Sequence, residues 1–179
     1  HAAKVHYMFG GKIKCPVVFR APGGGGRQLG ATHSHTPDVI FAHFPGLRVV
    51  SPATPYDAKG MLKAAIRSDD PVMFIEHATL YQVRGEVPEE EYLVPLDKAD
   101  IKREGSDVTI IACGHLVWKS IEAARILTDK GFSVEVINMH TIKPLDEQAI
   151  LDSVRKTGCV VTAEEHQRNG GLGDSVAQT

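Results

Sequence analysis

The 179-residue chain sets 20 lysines and arginines against 22 aspartates and glutamates, a formal net charge of -2, with 42% hydrophobic and 23% charged residues. That length can bury the core of one large domain or two small ones. The makeup is that of a folded globular protein, without the roughly 20-residue apolar run of a membrane span or the basic stripe of a nucleic-acid binder, so neither is expected as a partner.

Cys15, Cys113 and Cys159 are odd in number and form no CxxC pair. They read as reduced thiols of a cytoplasmic or matrix-like compartment and offer no zinc site. The start, HAAKVHYMFGGK, reads as the tail of a helix ending near Gly10 and Gly11. CPVVFR at 15–20 is a short β-like run suited to a strand buried on both faces, and it empties into the glycines Gly23 to Gly26. Thr36 is placed to cap a helix with Pro37 in its first turn, ending before Pro45 and Gly46. A strand follows at 47–50. Thr54-Pro55 repeats the capping device for a helix reaching about Ser68, with Met61, Leu62, Ala65 and Ile66 on one face. A strand at 72–75 completes an alternation typical of parallel sheets.

From about His77 to Asp107 the periodicity lapses, and the acidic, proline-punctuated GEVPEEEYLVPLDKAD reads as an interdomain linker. Alternation resumes with a strand at 108–113, a helix carrying Val117, Ile121, Ala124 and Leu127, a strand at 134–137, a helix at 144–156 and a strand at 159–162. GGLGDSVAQT opens a last helix. The expected fold is α/β, two successive three-layer domains with mostly parallel sheets, at 1–77 and 108–179 with the linker at 78–107. Both ends read as interior to longer domains, so the chain is expected to be a piece of a larger protein or a natural truncation.

The stretch RAPGGGGRQLGATHSH has the strongest look of a site. Glycines without Cβ let the backbone take positive φ or lie against a ligand, and the strand's exit is where open α/β sheets place ligands. The run fits neither GxxxxGK[ST] nor GxGxxG, so a phosphate cradle and a mobile loop both stand. His33 and His35 could ligate a metal or handle protons, imidazole titrating near neutrality. Glu164-Glu165-His166, after the last strand, is either a functional loop or a solvated polar turn. No GxSxG elbow or cysteine–histidine pairing supports a nucleophile.

PVVFRAP, the glycine loop, THSHT, the string AHFPGLRVVSPATPYDAKGMLKAAIRSDDPVMFIEH and GEVPEEEYLVPLDKADIKREGSDVTI together resemble the beta subunits of thiamine-diphosphate-dependent 2-oxo acid dehydrogenases, the pyruvate, branched-chain and acetoin enzymes. The resemblance covers nearly the whole chain and implies a partial pyrimidine-binding domain followed by a partial transketolase C-terminal domain. It implies oxidative decarboxylation of a 2-oxo acid with acyl transfer to lipoamide, using thiamine diphosphate and magnesium in the complete enzyme. The implied partners are an alpha subunit and a lipoyl acyltransferase core, and the apolar sheet surface that a shortened pyrimidine domain would expose makes homo-oligomers of this chain expected as well.

The family's early glutamate, which activates the cofactor, has no counterpart here, and the diphosphate and magnesium belong to the alpha subunit. The chain alone is therefore expected to bind no cofactor and to be inactive. His33 matches the HSQS histidine of the active-site channel, implying a catalytic role in acyl transfer. His35 stands where relatives carry glutamine, and VINMHTIKPLD with AEEHQRNGGLG is as close to stand-alone transketolases. The resemblance further implies potassium on the main-chain carbonyls of Val17, Ala65, Ile66, Ser68 and Asp70, where a helix end capped by water is the plainer account. The alternatives are a transketolase-type enzyme fragment and a non-catalytic association module.

Overall fold

The computed structural model describes residues 1–179 as eight strands and six α-helices, with short 3-10 turns at Ala31–His33 and Ala78–Gln82. The first sheet contains β1 (Val18–Gly23), β2 (Arg48–Val50), β3 (Val72–His77) and β7 (Thr141–Lys143) in the order β1-β3-β2-β7. The second contains β4 (Asp100–Arg103), β5 (Val108–Ala112), β6 (Val134–Asn138) and β8 (Val160–Ala163) in the order β4-β6-β5-β8. Pairing is parallel except where β7 meets β2 and β4 meets β6. The helices are α1 (Ala2–Met8), α2 (Asp38–Ala42), α3 (Pro55–Ile66), α4 (His115–Thr128), α5 (Glu147–Thr157) and α6 (Leu172–Gln178). None is long and apolar enough to cross a membrane.

Local chemistry explains most of these bounds. In α3 the Thr54 hydroxyl accepts from Asp57 N at 3.1 Å while the Asp57 carboxylate accepts from Thr54 N at 3.0 Å, a reciprocal cap stabilising by about 1 kcal/mol. Asp146 caps α5, and Gly158 ends it at φ 67, a left-handed position that suits glycine. Where strands alternate with helices on both sides, β3 is buried along its whole length, as a central strand must be.

Four expectations are corrected. The first strand enters at Val18 rather than Cys15, because Pro16 lacks an N–H and Val17 N is taken by Cys15 O at 2.8 Å. It is an edge strand with Phe19 44% exposed, not a strand buried on both faces. The helix α2 starts one residue later than Thr36 would set it: Pro37 already turns the chain, Asp38 bonds Val39 N at 2.9 Å, and the Thr36 hydroxyl is buried without a partner. The fourth helix of the pattern begins at Glu147 rather than Pro144.

The stretch from 78 to 107 is not free of structure either. Its end forms β4 beside β6, and its middle lies as a strap over α3. Val94 and Leu96 pack with Val50, Met61 and Phe74, while Tyr92 stacks on Tyr56 at 4.3 Å. Two apolar side chains either side of Pro95 carry no period, so periodicity could not reveal them. Conversely, β7 leaves the C-terminal half to join the first sheet, placing Val50 opposite Thr141. The largest core cluster consequently mixes both halves, with Val49 and Met73 packed among Ile111, Ile137, Met139 and Leu172. Each such buried aliphatic stabilises by about 1.5–3 kcal/mol, so the sheets share one interior.

Candidate active site

The glycine loop leaves the C-terminal end of β1 and is fixed at its neck, where Gly24 N donates to His35 O at 2.7 Å. That bond occupies one N–H that a phosphate cradle would have offered, and beyond it the loop packs on protein. It lies on the chain that follows β3. Gly24, at φ 87, sits where a Cβ would enter the imidazole of His77, and a Cβ on Gly26 would meet Thr79 at 3.4 Å. Arg27 reaches Ala78 O at 3.5 Å. Gln28, the one non-glycine residue at positive φ, stands at 57° in the same loop, a local strain of the kind that gathers at functional segments.

The far side of the loop frames a cavity of about 310 Å³ lined by Arg27, Thr32, His33, His35 and Tyr81 among others. No carboxylate lines it. His33 ends the 3-10 turn anchored by its N–H on Gly30 O at 3.3 Å and by Ser34 Oγ on Gly30 O at 2.8 Å. Both histidines are exposed, so their rings are free to exchange protons with a molecule in the cavity. No group of three or more His, Cys, Asp and Glu side chains is arranged to hold a metal ion, so the metal reading of this pair lacks its third ligand.

Behind the loop lies a buried seam between the halves. His77, at the end of β3, accepts from Thr79 N at 3.3 Å through Nδ1, so in the neutral ring Nε2 carries the proton. Nε2 stands 2.6 Å from Glu165 Oε2, close but not aligned as a linear hydrogen bond. The pairing with His77 outweighs burial and holds the Glu165 carboxyl below its ordinary pKa. His115, at the start of α4, stacks on His77 at 5.1 Å, and burial followed by the neighbouring imidazole lowers its pKa. Cys113, at the strand end beneath, is pushed well up by burial and by the surrounding carboxylates, and is therefore no nucleophile.

A second set adjoins the first. His166 Nε2 lies 3.0 Å from Glu164 and 3.9 Å from Asp38, which comes from α2 in the other half. Burial raises the Asp38 pKa, and His166 opposes the rise. Glu164 also accepts from the backbone N–H groups of Leu172 and Gly173 at the start of α6. The tripeptide Glu164-Glu165-His166 is thus an interlocking element between the halves and not a solvated turn. Its sequence signal was its place after a strand. His77, His115 and Asp38 carried none, because each acquires its partner only when the halves meet.

The five carbonyl positions fall in two adjacent segments. Cys15 N donates to Asp69 O at 3.2 Å, Val72 N to Val17 O at 2.9 Å and Ser68 N to Ala65 O at 3.1 Å. The Asp70 side chain faces outward to Arg48 at 2.9 Å.

Known proteins bear on this arrangement. Residues 1–84 match the transketolase pyrimidine-binding domain and residues 97–179 the transketolase C-terminal domain. The 2-oxoisovalerate dehydrogenase subunit beta of Bacillus subtilis is 45% identical over 98% of the chain, and 54% of that relative is covered. The pyruvate dehydrogenase E1 component subunit beta of Chaetosphaeridium globosum is 46% identical over 98% of the chain and 54% of the relative. The acetoin:2,6-dichlorophenolindophenol oxidoreductase subunit beta of Cupriavidus necator is 48% identical over 92% of the chain and 48% of the relative. The chain therefore spans about half the length of these relatives. Among solved structures, one described as a split gene transketolase, inactive beta4 tetramer, superposes with a TM-score of 0.79 at 32% identity, covering 92% of this chain and 53% of that one.

Proposed function

The chain belongs to the transketolase family, a pyrimidine-binding domain followed by a C-terminal domain, and on that premise we propose that it supplies the beta-subunit part of a 2-oxo acid dehydrogenase decarboxylating component. The observation that carries the reading is the loop cavity. It sits at the C-terminal end of β1, holds the exposed imidazole of His33 and has no carboxylate on its wall. In that setting His33 gives or takes a proton at the oxygen of the substrate or gives one to the sulfur released when a lipoyl disulfide opens, while Arg27 favours an anionic substrate.

Thiamine diphosphate with magnesium, in the complete enzyme, supplies the electron sink that releases carbon dioxide. The residues of this chain do not fit that group on their own. Activating the pyrimidine needs a free carboxylate, and Glu76, which lines the neighbouring cavity, is taken by Arg20 and Tyr81 at 2.8 Å each. The expected outcome of calorimetric titration with thiamine diphosphate and magnesium is no saturable heat at micromolar concentration. Micromolar affinity would overturn the reading that an alpha subunit completes the site.

The remaining partners follow from the same premise: an alpha subunit, a lipoyl acyltransferase core, and further copies of this chain. Potassium on the carbonyls of Val17, Ala65, Ile66, Ser68 and Asp70 is supported by the close approach of their two segments. Its test is a rise in unfolding temperature in potassium over tetramethylammonium at equal ionic strength.

The function itself is tested in the assembled enzyme. His33→Ala should slow acyl transfer to lipoamide about 100-fold while sparing cofactor binding, and His35→Gln should be milder. An intact rate in His33→Ala sinks the assignment. A transketolase-type activity is the second reading, favoured by the structural likeness to the split transketolase, and ketol transfer without lipoamide would select it.

A further inference from the structure

We propose that Glu165 is a positioning residue for the glycine loop, acting across the seam through His77, so that the C-terminal half determines whether the His33 loop is ordered. It rests on the reading of the loop as the active-site wall, and adds how that wall is held.

The chain of contacts is short. The glycines leave β1 with no side chains of their own to anchor them, so the loop takes its shape from what it lies on. What it lies on is the 77–79 segment: Gly24 at the face of the His77 ring, Gly26 against Thr79, Arg27 at the Ala78 carbonyl. The approach at Gly24 is so close that any swing of the His77 ring displaces the loop. Ring orientation is therefore the quantity to control. Nδ1 is held by Thr79 from the same segment, its hydroxyl at 2.7 Å, and Nε2 is held only by Glu165 at 2.6 Å, from the loop beyond β8. A Cβ on Gly25 would have the Glu165 carboxylate as its nearest neighbour at 3.9 Å, so the same side chain also faces the loop.

The other groups facing the ring do not substitute for Glu165. His115 stacks on it from α4 and shares in opposing rotation of the ring about its Cβ–Cγ bond, but it offers Nε2 no carboxylate. Glu164 and His166 are engaged with each other and with α6 and Asp38. With Glu165 removed, Nε2 loses its one close contact to a carboxylate and the ring is freer to turn, whereas glutamine at this position keeps an oxygen facing it. A loop whose support is loosened opens more often, and proteolysis of an open segment reports its population.

Arg27 makes this measurable in the chain itself without any cofactor, since trypsin cleaves after it. In limited trypsinolysis followed by mass spectrometry, Glu165→Ala should raise the cleavage rate at Arg27 about 10-fold over the parent chain, with cleavage at Arg84, Arg103 and Arg125 changed less than about 2-fold. Glu165→Gln should recover most of the protection. Thr79→Val, which releases the other ring nitrogen from its hydroxyl, provides a second route should Glu165→Ala fail to fold, and should raise cleavage at Arg27 selectively. Equal acceleration at all four arginines, or unchanged cleavage at Arg27 in both variants, would overturn the proposal. Because no turnover is measured, failure here leaves the assignment of His33 standing, and a failed His33→Ala experiment leaves this one standing.

Discussion

Two polar clusters bridge the two sheets, and they are built differently. At one, Asp57 is 1% exposed and its carboxylate accepts from Ala53 N, Thr54 N, the Asn138 amide and Lys102, at 3.3, 3.0, 2.9 and 3.3 Å. Burial works against the charge on Lys102, yet Asp100 and Asp57 together hold its pKa above the ordinary value. At the other, His77 and Glu165 make one close contact beside a loop with several left-handed residues and an open cavity. The first cluster satisfies both oxygens of its central carboxylate and fixes it from four sides, although a cavity of about 250 Å³ lined by Asp57, Asp100 and His140 opens beside it. The second leaves rings and loop adjustable next to solvent, which is what a site that exchanges substrates requires.

The sharpest way to break this comparison is Asp57→Ala. It leaves Lys102 with Asp100 as its one carboxylate, takes an acceptor from the Asn138 amide and removes part of the α3 cap, so unfolding in urea should lose about 2–4 kcal/mol. A loss under about 1 kcal/mol would mean the Asp57 cluster is as adjustable as the other. Thr54→Ala, which removes only the hydroxyl of that cap, should cost about 1 kcal/mol in the same measurement.

Glu165 sharpens the contrast through pH. Its folded pKa lies below the ordinary 4.5, so the stability it contributes is complete above about pH 4.5 and is lost as the pH falls through the lowered value. The unfolding temperature of Glu165→Gln should therefore approach that of the parent chain on acidification, and a gap that widened instead would contradict the pairing. The smallest effect belongs to His33, exposed and without an ion pair. His33→Ala should change the unfolding free energy by less than about 0.5 kcal/mol, and a larger loss would make it a structural residue.

Much of this was legible in the amino-acid order because it is local. The capping signal at Thr54, the helical period of α4 and the alternation of strand and helix all act within one or two turns. The strings from which the site is proposed, four glycines and His33 at a strand exit, are local in the same way. The family's motifs were likewise contiguous strings. What the sequence could not decide is what meets across distance. Residues 141–143 read as part of the second domain, yet pair with β2, because an edge strand will take whichever partner completes its hydrogen bonds. Val94 and Leu96 looked like linker until α3 gave them a surface. Glu165 meets His77 across 88 positions of chain, and Asp38 meets His166 across 128. Their chemistry comes from desolvation and proximity, and neither exists until the two sheets share a core.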